Sequence, residues 1–357
     1  MTGLLTDLMR ERADHLDAPY LDLTAITRTG ERRVRRRRTA LVGGAATAAA
    51  LTVLVLPALG GEGPAPARDL AADGTTAVPS PLAWISGSTL HRVGRPDTDL
   101  GVDVRAWVWV GDDIAFTDAE RRVRLWSGDA LDVVGRSAAV PQDKQELFSD
   151  GTLVAWLGAD GAWQALDTTT GELTSDGAGP YRSDPTRSQV TAIDGSVVYG
   201  LDARGVVAWD TTAGRVDVVD RDAARVVIDA EGGVLLRATG DGDARVEGGG
   251  RNLAVTVDSF ANLSADGAHV VAESDDVGVL LDTTTGERLT LDTGFGWSLP
   301  FQWVDDDTVA VLAFTGARTD AVDHPFLVAC TVADGACTDA QPLPTAFQLP
   351  VGIHFDR

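Results

Sequence analysis

A polar hexapeptide written three times, a period of roughly forty residues made of paired short strands, and an uncharged run behind an arginine cluster together predict the fold class. It is all-β: a seven-bladed β-propeller, with six or eight blades as the neighbouring counts, preceded by a single transmembrane α-helix. The hexapeptide is DTTTGE at Asp167–Glu172 and again at Asp282–Glu287, and DTTAGR at Asp210–Arg215 is its near copy.

The N-terminal 38 residues carry nine Arg against six Asp/Glu. Leu4, Leu5, Leu8 and Met9 recur at helical spacing, so a short amphipathic helix is expected before Asp17-Ala18-Pro19. This tail either only aids insertion or docks a cytoplasmic partner. RRVRRRR (Arg32–Arg38) then precedes Thr39–Gly60, 22 residues without a charge. About 20 helical residues at ~1.5 Å each span the ~30 Å hydrocarbon core. Positive charge stays in the cytoplasm, so residues 1–38 are expected inside and the chain beyond Gly60 outside, with 39–60 in the cytoplasmic membrane. A cleaved signal peptide, with Pro64–Ala67 (PAPA) near its processing site, is the alternative. The leader resembles those of actinobacterial single-pass membrane proteins. Residues 61–80, rich in Gly, Pro and Ala, read as a linker to an outer domain at 81–357.

The outer domain is a repeat. Residues 150–167, 194–210 and 266–282 each open on Asp-Gly, run through an apolar strand, turn, and run through a second strand ending in Asp, with Asp-to-Asp separations of 17, 16 and 16. Weaker copies lie at 82–95, 112–130, 231–250 and 306–337. Their second hairpins centre near residues 94, 128, 169, 212, 248, 284 and 334, which sets seven blades. The first copy lacks an innermost strand, and Phe347–Phe355 (FQLPVGIHF) is expected to supply it and close the ring. The turns suit the plan: Asp accepts from backbone amides two residues on, and Gly tolerates a left-handed conformation. Ser264-Ala265-Asp266-Gly267 is similar to the SPDG turn of WD40-like and TolB-like propellers, and Trp209-Asp210 matches their strand ending. The chain resembles these families over residues 82 to 355, though Leu125-Trp126-Ser127 departs from the pattern and the Gly-His pair is absent.

Chemistry is sparse. Cys330 and Cys337 flank TVADGA and are expected to form a disulfide in an oxidising compartment. The five histidines are scattered, and there is no G-x-S-x-G, H-E-x-x-H or P-loop. No catalytic residue, metal site or cofactor is assigned. Asp241-Gly242-Asp243 and Asp305-Asp306-Asp307 read as solvated acidic turns. Residues 61–357 hold 21 Lys/Arg against 47 Asp/Glu, which excludes nucleic acid as a partner. Trp126, Trp156, Trp163 and Trp209 are expected between blades. Gly294–Trp303 and Gly179–Ser188 read as crossovers on the top face, with Tyr181, Arg182, Phe295 and Trp297 as candidate contacts or as packing over the channel mouth. The expectation is a non-enzymatic binding or scaffolding module at the cell envelope, with an unidentified protein or envelope ligand, favoured if basic, as partner. An envelope hydrolase or lyase acting on glycans or peptides, and a sensor signalling through the tail, are the alternatives.

Overall fold

Short runs of alternating Val, Leu, Ala and Trp, each closed by an Asp/Gly turn, can bury their apolar faces only by stacking sheet on sheet. A computed structural model describes residues 82–350 except 129, 141–144, 177–187, 241, 259, 275–276, 317–324 and 339, together with the backbone of His354–Phe355. The expected tail, membrane span and linker lie outside the described residues, among which no helix is long and apolar enough to cross a membrane.

The strands form seven antiparallel sheets, the blades of a propeller. Blades 2 to 7 occupy residues 104–136, 148–175, 189–220, 227–256, 261–289 and 297–342, four strands each in chain order. The first strand of each packs against the first strand of its neighbours and lines the axis. Blade 1 takes Ala83–Ser86, Thr89–Arg92 and Thr98–Asp99 from the start of the domain, and Phe347–Gln348 from its end pairs beside Ala83–Ser86. The expected closure by the C-terminal segment is therefore what the chain does. His354–Phe355 adds a fifth strand inside it. The closing strand is also fastened to blade 2: Trp107 donates its indole N–H to the Gln348 carbonyl (3.2 Å), and Gln348 Nε2 donates to the Val104 carbonyl (2.7 Å).

The repeated hexapeptide has a physical explanation. Asp167, Asp210 and Asp282 each accept the backbone N–H groups two and three residues on, at 2.7–3.2 Å. The next residue in each copy, Thr168, Thr211 or Thr283, donates its hydroxyl to a carbonyl of the Asp-Gly turn in the same blade: Thr152 (2.9 Å), Ser196 (2.9 Å) and Gly267 (2.7 Å). One residue shapes the outer hairpin and the next ties it to the inner one. Tryptophans fill the spaces between blades: Trp156, Trp163 and Trp209 are fully buried, and Trp126 nearly so.

Two features differ from the sequence reading or extend it, and a third bears it out. Gly294–Trp303 is only partly crossover, because Trp297–Trp303 is already the first strand of blade 7. Pro300 is tolerated there because an innermost strand has a free edge toward the channel. First strands of blades 2, 4, 5 and 7 carry register shifts that place Arg105, Thr191, Ile228 and Phe301 as extra residues. Cys330 and Cys337 form the expected disulfide across the last hairpin.

Candidate functional site: the axial cavity

All the first strands run the same way along the axis, so their C-terminal ends and following turns gather at one end of the channel. A cavity of about 350 Å³ lies there, walled by residues from all seven blades, with Pro350 contributed by blade 1. Its carboxylates are Asp150, Asp194, Asp229, Glu231 and Asp305. Among the described lining residues there is no Lys, Arg or His.

Three of these carboxylates bridge successive blades. Gly195 of blade 4 donates its N–H to Asp150 Oδ2 of blade 3. Gly233 of blade 5 donates to Asp194 Oδ2 of blade 4 at 2.9 Å. Leu263 of blade 6 donates to Asp229 Oδ2 of blade 5 at 2.6 Å, and Ala230 donates to Asp229 Oδ1 at 3.0 Å. Glu231 stands where Asp150 and Asp194 stand in their blades, at the end of the first strand, yet its carboxyl takes no such bond. Burial pushes the Asp150 carboxyl up, with Asp194 adding to the effect. Burial and neighbouring carboxylates also hold Asp229 and Glu231 well above the usual carboxylate range. Tyr199 behind them is pushed up to about 12, mainly by burial and then by Asp194.

Buried acids elsewhere are treated differently. Asp118 meets Arg122 (2.7 Å) and Arg124 (2.8 Å), Asp202 meets Arg204 (2.6 Å), and Glu146 meets Arg105 (2.5 Å). The fold supplies arginines to these three buried carboxylates and none to the half-buried carboxylates of the cavity among the described residues. Two cavity hydroxyls are also without partners among the described residues, Ser149 Oγ and Thr191 Oγ1. No group of three described His, Cys, Asp or Glu side chains converges closely enough to hold a metal ion.

Two of the four sequence-predicted contacts fall among the described residues, and they lie away from this cavity. Phe295 packs on Phe326 (centroids 5.0 Å apart) and Trp297 stacks on Phe314 (4.2 Å), both half-buried at the start of blade 7 and thus toward the other end of the channel. Tyr181 and Arg182 lie outside the described residues. Sequence reasoning missed the cavity acids because 47 acidic residues offer too many pairs. A usable signal existed: Asp150, Asp194 and Glu231 hold one position of successive repeats, each just before a glycine.

No protein-family model and no curated protein matches the chain. Solved structures do. The computationally designed Ika8 protein aligns at TM-score 0.45 and 14% identity, over 76% of this chain and 93% of that one. The WD40 β-propeller domain of Doa1 aligns at 0.44 and 15%, over 77% and 91%. A chain of the Mitotic Checkpoint Complex aligns at 0.45 and 12%, over 81% and 89%. Likenesses this remote carry nothing about function, and the seven blades rest on this chain's own strand pairing.

Proposed function

We propose that the chain is a membrane-anchored, extracytoplasmic propeller that acts as a non-enzymatic binding or scaffolding module, and that its partner docks over the axial cavity. The observation that carries this reading is the cavity itself: carboxylates from four blades face one opening that no described basic side chain lines. Such a mouth attracts positive charge and gives a basic partner both steering and register. The arginine cluster before residues 39–60 supports the orientation.

The test has two arms. An epitope at the C-terminus is expected to be digested by protease added to intact spheroplasts while one at the N-terminus survives. Photo-crosslinkers at the cavity rim, at Gly151 and Gly232, are expected to capture one and the same protein, and a crosslinker on the outer strand Arg215–Asp220 to miss it. Survival of both epitopes removes the anchored orientation; equal capture from rim and outer strand removes the docking site. One observation favours the enzyme reading: the Glu231 carboxyl, held above the usual carboxylate range by burial and by its neighbours, lines the cavity together with other carboxylates, and paired carboxyls of unequal acidity are equipment for glycoside hydrolysis. It predicts glycan cleavage that Glu231→Gln abolishes.

A further inference from the structure

We propose that the axial cavity is a binding site for a primary ammonium group carried on an extended chain, whether a free alkyl polyamine or a lysine side chain of the docked partner. The inference rests on reading the cavity as a binding site and adds the chemistry of what enters it.

Four observations lead to it. Asp150, Asp194, Asp229 and Glu231 line the same wall; the backbone hydrogen bonds to the first three use only part of the acceptor capacity of a carboxylate, which is about four sites each, and Glu231 accepts none among the described residues. Thr191, the extra residue in the first strand of blade 4, lines the same cavity, is nine-tenths buried, and has no partner for its hydroxyl among the described residues. An ammonium brings three N–H donors and one positive charge, which matches a set of acceptors short of donors and short of charge. A bare metal ion matches less well, because no three ligating side chains converge among the described residues. A volume of about 350 Å³ also admits several methylenes behind the charged head. The raised carboxyls of Asp229 and Glu231 agree with this, since a cation among them would let both ionise.

Calorimetric titration of the purified full-length chain is the test, with spermidine and with a short lysine-bearing peptide as probes, and with their N-acetylated forms as controls. Both amines, or one of them, are expected to bind at neutral pH and the acetylated forms not to bind. Glu231→Gln and Thr191→Val are expected to weaken the amine by roughly 10- to 100-fold while melting no lower than the parent by more than a few degrees. Binding by spermidine alone marks a small-molecule site; binding by the peptide alone marks a partner's lysine. The proposal is overturned if neither amine binds, if acetylation makes no difference, if calcium alone binds, or if both variants bind as the parent does. Crosslinking from Gly151 and Gly232 reads docking separately, so a partner captured without any amine affinity sinks this inference and leaves the docking site standing.

Discussion

Thr283 and Thr168 occupy the same place in two copies of the hexapeptide, and their surroundings separate them. Thr283 is fully buried; its hydroxyl donates to the Gly267 carbonyl at 2.7 Å and accepts Arg251 Nε at 2.8 Å. Thr168 is half-buried and makes one such bond, to Thr152. Removing a buried hydroxyl strands its partners, at a cost of about 1–3 kcal/mol, whereas water replaces an accessible one. Thr283→Val is therefore expected to destabilise the domain by that amount and Thr168→Val by well under 1 kcal/mol, read from denaturant midpoints; equal losses would mean that the inter-turn bond the two share matters more than the difference in burial. Gly200 makes a second case. A Cβ there would sit 2.3 Å from the Gln189 carbonyl oxygen and 2.5 Å from the Trp163 ring. Neither the strand backbone nor a fully buried indole yields easily, so Gly200→Ala is expected to cost roughly 1–3 kcal/mol. An unchanged melting temperature would show that the blade 3–blade 4 interface is looser than its packing implies.

At the scale of elements, the ring depends on a strand that arrives last. Phe347 and Leu349 are buried, and Phe347–Gln348 is the strand that pairs with Ala83–Ser86 to close blade 1. Ending the chain at Ala346 exposes the edge of Ala83–Ser86 and removes both Gln348 bonds to blade 2. The truncated protein is expected to lose its single cooperative transition and to become protease-sensitive; a melt like the parent's would mean that blade 1 holds without closure. The disulfide hairpin acts across the neighbouring boundary. Asp292, in the crossover from blade 6, donates its N–H to the Gly335 carbonyl at 2.9 Å. Reduction is expected to speed amide exchange at Asp292 as well as at Thr331–Cys337; acceleration confined to the hairpin would show that the clamp is local. The hairpins and the closing strand were legible in the sequence because Asp, Thr and Gly at a turn answer to chemistry within a few residues. The extra residues Thr191 and Ile228 were not, because a register shift is decided by the neighbouring strand. The cavity acids were half legible. Their shared repeat position was visible, but that Glu231 goes without the bond its counterparts make depends on how blade 6 sits against blade 5.

For the molecule as a whole, the two classes of carboxylate set opposite pH dependences. Asp150, Asp229 and Glu231 are raised, chiefly by burial, so the folded chain holds protons that the unfolded chain has released. Their contribution is unfavourable above the folded values, and it is relieved as pH falls through them toward the ordinary range near 4. Asp99, Asp167, Asp282 and Asp334 are lowered, chiefly by hydrogen bonds within their turns. Asp118 is lowered too, because bonds from Arg124 and Arg122 outweigh its burial. These five support the fold above their unfolded values and cease to as pH drops below about 4. The sum places maximum stability on the acid side of neutrality, between the two sets of transitions. Denaturant midpoints are expected to rise from pH 8 to about pH 5 and to fall again below pH 4. In Glu231→Gln the rise should flatten, and at pH 8 the variant should exceed the parent by on the order of 1 kcal/mol, since a neutral amide replaces a group that the cavity resists ionising. A saturating amine should flatten it too, from the other direction, by stabilising the ionised cluster at pH 8 and losing its hold as the carboxyls take up protons. A parent whose stability falls steadily from pH 8 to pH 5, or a variant that keeps the parent's slope, would show that the cavity acids are solvated well enough to ionise freely, and the case for an electrostatically hungry channel mouth would go with them.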